Sequence, residues 1–126
     1  MGIVALTDIQ DFVTDVAREF LPEKVILFGS YAAGNAGVES DIDLLVVMPD
    51  EVSGVRVAAD IITRLKPVLP VELVVRSSRQ IRERLALNDF FLREIMTKGK
   101  ELYAAPNYLV DVVAARSRSI CVAHMY

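Results

Sequence analysis

Two aspartates stand two residues apart at the start of an apolar segment, in the run Ser40-Asp41-Ile42-Asp43-Leu44. Side chains alternate between the two faces of a strand, so Asp41 and Asp43 are predicted to project to the same side. Two carboxylates separated by about two residue rises can share divalent cations, whereas without a cation they would repel each other. The spacing therefore predicts a metal site.

A Gly-Ser pair, Gly29-Ser30, follows an earlier apolar strand predicted from Lys24 to Phe28. Glycine permits a tight turn and the close approach of a ligand, and the free backbone N–H groups and hydroxyl at Ser30 can bind an anion. A triphosphate held by this turn at one end and by metal at the other would be placed for in-line attack on phosphorus.

Glu72 is the charged residue within the apolar segment Val71 to Val75, which predicts a third buried strand. Burying a lone carboxylate costs several kcal/mol unless it is paired, protonated or bound to metal. If this strand lies beside the one that carries Asp41 and Asp43, all three carboxylates can face one pocket. Their mutual repulsion would raise their pKa values unless cations such as Mg²⁺ held them.

These observations predict Asp41, Asp43 and Glu72 as catalytic and metal-binding residues, with Gly29 and Ser30 holding the triphosphate. In this hypothesis one Mg²⁺, held by the three carboxylates, lowers the pKa of an attacking hydroxyl, and Glu72 accepts its proton. A second Mg²⁺, shared by Asp41 and Asp43, carries the triphosphate and the departing pyrophosphate.

The pattern along the chain predicts the elements that must position these residues. The first predicted element is a helix at 7–20, capped by Thr7 or Asp8. The predicted strands lie at 24–28, 41–48, 71–75 and 101–103. Further helices are predicted at 55–65, at 89–97 and at 108–115, and one more begins at Ser77 or Ser78.

Tyr31, beside the Gly-Ser turn, could stack on a nucleotide base, although packing is the more common role for such a residue.

Length and composition limit the function. The 126 residues indicate one domain over 1–126, with a core at about 24–103, an N-terminal helix at 7–20 and a tail at 104–126. The net charge of −3 argues against tight nucleic-acid binding, and no apolar run is long enough for a membrane span. A single cysteine, Cys121, which with His124 is too few ligands for zinc, suits a reducing cytoplasm. With little room for an acceptor-binding module, a protein acceptor is favoured over a small molecule.

The run Phe28-Gly29-Ser30-Tyr31-Ala32-Ala33-Gly34, followed by Ser40-Asp41-Ile42-Asp43-Leu44, resembles the signature of the DNA polymerase beta-like nucleotidyltransferase superfamily. Within it, the chain is similar to the minimal nucleotidyltransferases, the antitoxin partners of HEPN-type toxins. The resemblance implies a nucleotidyltransferase fold of the α/β class, a small mixed sheet with helices packed largely on one face. It also implies two Mg²⁺ ions on Asp41 and Asp43, with Glu72 as the third carboxylate.

The activity that the resemblance implies is transfer of AMP from ATP to a tyrosine hydroxyl of a HEPN-type toxin, in a hetero-oligomer or homo-oligomer. Two positions depart from the family pattern: Ala33 stands where arginine is frequent, and Glu72 where aspartate is frequent. Two alternatives therefore stay open. The chain could be a non-catalytic antitoxin that neutralises its partner by complex formation, or it could transfer nucleotides to a small molecule or an RNA end.

Overall fold

The computed structural model describes residues 3–49 and 51–106. The helix predicted at 108–115 and the residues Cys121 and His124 lie outside this part of the chain. The elements in chain order are α1 (Leu6–Phe20), β1 (Lys24–Phe28), α2 (Gly29–Ala33), β2 (Ile42–Met48), α3 (Gly54–Leu65), β3 (Val71–Ser77), α4 (Ser78–Ala86), α5 (Phe90–Lys98) and β4 (Lys100–Ala104).

The four strands form one mixed sheet in the order β3-β2-β1-β4. β1 pairs antiparallel with both β2 and β4, whereas β2 pairs in parallel with β3. Helix α3 supplies the crossover that two parallel neighbours require. The predicted α/β class with a small mixed sheet is therefore confirmed. Asp43 lies near the start of β2, one of the two central strands, and Asp41 immediately precedes this strand.

Helices cover both faces of this sheet, so the expectation of packing largely on one face is corrected. α1 and α3 pack on one face, where Ile9, Val13 and Ile61 meet the inward side chains of the central strands. α4 and α5 pack on the other face through Ile81, Leu92 and Ile95. The physical reason is that the successive residues Leu44–Val47 are all buried, and a strand buried on both sides needs cover on both sides.

The first helix begins earlier than predicted and without a side-chain cap. Its N-cap is Ala5, so the prediction of Thr7 or Asp8 as the cap is wrong. Val4 and Ile9 occupy the two positions of a hydrophobic staple, and both pack in the core between α1 and the sheet. Apolar packing of the entering chain, rather than a capping side chain, fixes where this helix starts.

The start of α4 agrees with the prediction. Ser77 is its N-cap and forms a capping box with Gln80, in which each side chain bonds to the other residue's backbone N–H.

The third strand, β3, lies at the sheet edge, and of its apolar residues only Val75 is fully buried. The prediction of a wholly buried third strand is therefore wrong, because one side of an edge strand stays open. In the described residues, no helix is both long and apolar enough to cross a membrane.

Candidate active site

Strand pairing places Asp43 between the two other parts of the candidate site. In the antiparallel register Asp43 lies opposite Phe28, the last residue before the Gly-Ser turn. In the parallel register Asp43 lies opposite Glu72 on β3. Residues paired across neighbouring strands project to the same face, so Asp43 and Glu72 stand side by side. Both belong to the face that α4 and α5 partly cover, because Asp43 alternates with Leu45 and Val47.

The three predicted carboxylates differ in exposure. Asp43 is half-buried in β2, whereas Asp41, just before this strand, and Glu72, on the edge strand, are exposed. The expected cost of burying Glu72 is absent, because the edge position leaves its side chain open to solvent. Glu72 is linked to the site by its register beside Asp43.

The charges of the three residues act on one another. Burial raises the pKa of Asp43, and the nearby negative charges of Glu72 and Asp41 raise it further. Within residues 3–49 and 51–106, no ion pair reaches any of the three carboxylates. The site therefore concentrates negative charge that no cationic side chain of the described residues neutralises.

The donor chemistry suits a hard divalent cation, but the carboxylates do not form a closed cage. In the part of the chain that the structure describes, no three Asp, Glu, His or Cys side chains are grouped closely enough to hold a metal ion by themselves. Mg²⁺ is usually bound by one or two carboxylates and completes its shell with water and substrate phosphates. Asp41 and Asp43 fit that mode of binding, in which the nucleotide supplies part of the shell.

Gly29 has a structural reason to be glycine. Its φ of +73° lies in the left-handed region, and a Cβ atom built there would lie 2.2 Å from Asp43 Oδ2. The carboxylate of Asp43 thus packs directly against the backbone of the turn, where any side chain would displace it. The structure brings Gly29 and Asp43 together, as the motif spacing predicted.

Ser30 and Tyr31 follow Gly29 in the short helix α2. Ser30 is half-buried and directly follows Gly29, the residue that the Asp43 carboxylate contacts. Tyr31 packs against the core on the α1 side, and its hydroxyl accepts a hydrogen bond of 3.0 Å from the Val4 N–H. Packing, rather than base stacking, is therefore the role of this tyrosine.

An aromatic groove beside the turn went unrecognised in the sequence. Its walls are Phe28, Ala32 and Ala33 on one side and Phe90 and Phe91 on the other. The signal was available: adjacent residues on a helix point about 100° apart, so two successive phenylalanines cannot both face the core beneath α5.

Comparison with known proteins agrees with this geometry. The family model for the nucleotidyltransferase domain matches residues 9–102. A Methanocaldococcus jannaschii protein, named as a candidate protein adenylyltransferase, is 32% identical over 99 residues, which cover 75% of this chain and 94% of the relative.

Two solved structures show the same fold. The crystal structure of a candidate nucleotidyltransferase from Sulfolobus solfataricus has a TM-score of 0.50 and 27% identity, covering 62% of this chain and 71% of that one. A variant of the toxin–antitoxin complex MntA–HpeT also has a TM-score of 0.50, with 20% identity, covering 93% of this chain and 85% of that one. The family resemblance inferred from the Gly-Ser and Asp-x-Asp motifs is confirmed, and the chain belongs to the nucleotidyltransferase domain family.

Proposed function

We propose that the chain transfers AMP from ATP to a hydroxyl group of a partner protein, with Mg²⁺ bound at Asp41 and Asp43. The observation that supports this proposal is the strand register that pairs Asp43 with Glu72, together with the Asp43 carboxylate packed directly against the Gly29 turn. The named activity of the Methanocaldococcus jannaschii relative, a protein adenylyltransferase, supports a protein as the acceptor.

Each residue has a distinct role in this mechanism. The backbone N–H groups of the turn and the Ser30 hydroxyl hold phosphate oxygens of the nucleotide. Asp41 and Asp43 would hold Mg²⁺, which when bound would supply charge neutralisation at the phosphates. Gly29 keeps the Asp43 carboxylate against the turn, which fixes the distance between the phosphate-binding and metal-binding parts of the site.

In this mechanism Glu72 is the general base for the acceptor hydroxyl. The hydroxyl oxygen attacks the α-phosphorus, the bond from this phosphorus to the bridging oxygen breaks, and pyrophosphate leaves. The proton passes to the Glu72 carboxylate. An exposed position on the edge strand suits this role, because an acceptor carried by another protein must reach the proton acceptor from outside the sheet.

The partner that we propose is a HEPN-type toxin, with a tyrosine as the acceptor residue. The sequence motifs resemble those of the antitoxins that pair with such toxins, and the MntA–HpeT structure shows that this fold occurs in a toxin–antitoxin complex. In that setting adenylylation of the toxin is the neutralising step, and the chain acts as the antitoxin.

Label placement tests the proposal. The protein and its co-purifying partner are incubated with Mg²⁺ and ATP labelled at the α-phosphate or the γ-phosphate. We expect label on a partner tyrosine from the α-position only and loss of transfer in Asp43→Asn. Transfer should be normal in the matched control Asp60→Asn, at an exposed position of α3. Label from the γ-position, or full transfer by Asp43→Asn, would refute the mechanism. A tight complex without label would support the non-catalytic alternative.

A further inference from the structure

The aromatic groove, defined by Phe28, Ala32, Ala33, Phe90 and Phe91, is the feature that the proposed mechanism leaves without a role. It lies between α2 and α5 and has a volume of about 550 Å³. Pockets that bind small molecules fall in this size range and are lined mainly by apolar and aromatic side chains with a few polar groups. The groove therefore has the size and lining of a ligand site.

Two phenylalanines of the groove are unusually exposed. Phe90 keeps 73% and Phe91 keeps 50% of its surface open to solvent. The ring of Phe91 meets that of Phe28 edge to face, with centroids 5.7 Å apart and planes at 86°. This contact fixes the orientation of the Phe91 ring while leaving much of it uncovered. Exposed, oriented aromatic rings next to a candidate active site indicate a partner that stacks on them.

The groove is continuous with the candidate phosphate site. Gly29 is one of its lining residues, and Gly29 is also the residue against which the Asp43 carboxylate packs. Phe28 lies opposite Asp43 in the sheet. A nucleotide whose phosphates lie at the Gly-Ser turn thus has the aromatic groove as the adjoining apolar surface. Tyr31 does not compete for this role, because it packs on the opposite side of the sheet.

The rim of the groove carries one polar pair. Glu94 and Lys98, one turn apart on α5, form an ion pair of 3.3 Å, and both line the groove. A carboxylate accepts hydrogen bonds and donates none, so Glu94 can accept from an exocyclic amino group but repels a keto oxygen at the same place. Adenine carries an amino group on C6 of its ring, whereas guanine carries a keto oxygen on C6.

We propose that the aromatic groove binds the base of the nucleoside triphosphate, and that Glu94 selects adenine over guanine. The inference rests on the proposed function, since it places the phosphates at Gly29 and Ser30. It extends that function by assigning a base-binding site and a residue that determines base specificity. The competing occupant, an aromatic side chain of the acceptor protein, is distinguished by the test.

The test uses the isolated full-length chain and two probes, ATP and inorganic tripolyphosphate, each with Mg²⁺ and measured by calorimetry. Stacking of a base on an aromatic ring is worth enough that Phe91→Ala should weaken ATP binding about tenfold. Phe90→Ala should also weaken ATP binding. Tripolyphosphate has no base, so its affinity should stay unchanged in both variants. Leu87→Ala, at a 75% exposed residue outside the groove, is the matched control.

Each outcome separates the groove from the phosphate site. Unchanged ATP affinity in both phenylalanine variants would overturn the inference, even if transfer to a partner were lost, because the groove would then serve the acceptor. Equal weakening of ATP and tripolyphosphate would also overturn it, since the effect would not depend on the base. If the unaltered chain bound neither probe, the proposed function would fail together with the inference.

Two further variants test the assignment independently of folding. Phe91→Leu keeps apolar volume against Phe28 but removes the ring, so it should lose ATP affinity while the thermal midpoint stays close to that of the unaltered protein. Glu94→Gln can turn an amide N–H toward a keto oxygen, so it should reduce the preference for ATP over GTP about fivefold. Glu101→Gln on β4 is its control. An unchanged preference in Glu94→Gln would overturn the specificity role of this residue.

Discussion

Substitution of Gly29 by alanine tests whether the Gly-Ser turn and Asp43 form one unit. The new Cβ atom would lie 2.2 Å from Asp43 Oδ2, and Cβ atoms essentially never come within 3.0 Å of a heavy atom outside their own and adjacent residues. The Asp43 carboxylate or the turn must therefore move by about 0.8 Å. A misplacement of about 1 Å in catalytic geometry can cost about 100-fold in rate, so we expect a loss of that order in AMP transfer.

The same substitution also strains the backbone. At a φ of +73° an alanine is disfavoured by about 1–2 kcal/mol relative to its usual conformations, and this lowers the free energy of unfolding. Gly34→Ala provides a matched control. Gly34 has a φ of +83°, but no atom lies within 4 Å of a Cβ built there. It should lose similar stability by the backbone term without displacing Asp43.

The assay combines urea denaturation with the rate of label transfer from the α-phosphate of ATP at saturating partner. Both variants should unfold at lower urea than the unaltered protein, whereas only Gly29→Ala should lose about 100-fold in rate. A Gly29→Ala protein with normal transfer would refute the claim that the turn positions Asp43. Equal loss of rate in Gly34→Ala would show that backbone strain, and not the contact with Asp43, causes the effect.

Three further predictions concern stability. The pKa of Asp43 is raised in the folded protein, so the folded protein holds this proton more tightly than the unfolded chain does. In the absence of metal, the free energy of unfolding should therefore fall as pH rises through the raised pKa. Asp43→Asn should flatten this pH dependence in urea denaturation at low salt. A steeper dependence in that variant would contradict the assignment. Ile61→Ala should lower the free energy of unfolding by about 2–5 kcal/mol, since Ile61 is fully buried, whereas Val55→Ala at an 84% exposed site should change it by less than about 0.5 kcal/mol. Ser77→Ala should cost about 1–2 kcal/mol in chemical denaturation, because the side chain caps α4 and its hydroxyl donates to Glu51; a change near zero would contradict the cap's role.

Local patterns were sufficient for most of the fold. The strand at 24–28 is observed with the same bounds, because apolar residues between a proline and a Gly-Ser turn leave few alternatives. Asp89 and Gly99 bound α5 (Phe90–Lys98) as N-cap and C-cap, which agrees within one residue with the helix predicted at 89–97. Such boundaries depend on neighbouring residues and are therefore readable from the sequence.

Features set by tertiary packing could not be read in the same way. The start of α1 depends on Val4 packing in the core, a contact that no capping rule describes. The edge position of β3 depends on strand order, and it leaves Glu72 exposed although its neighbours in sequence are apolar. The cover on both faces follows from the apolar run Leu44–Val47 in β2, whereas the resemblance to the family implied helices largely on one face.

The candidate site likewise combines features set by neighbouring residues with features set by tertiary packing. Motif spacing predicted that the Gly-Ser turn would adjoin Asp43, and the register of β1 with β2 places them in contact. Asp43 and Glu72 pair only because β2 and β3 are parallel neighbours. The sequence alone did not determine that these two strands are adjacent. The metal-binding and catalytic roles of these residues stay predictions.

Anomalous diffraction from crystals grown with Mn²⁺ and a non-hydrolysable ATP analogue tests the central claim most directly. Mn²⁺ shares the octahedral oxygen coordination of Mg²⁺ and gives a strong anomalous signal. The account predicts a Mn²⁺ peak within coordination distance of both Asp41 and Asp43, with the phosphates against Gly29 and Ser30. A metal peak or a triphosphate bound away from these residues would contradict it.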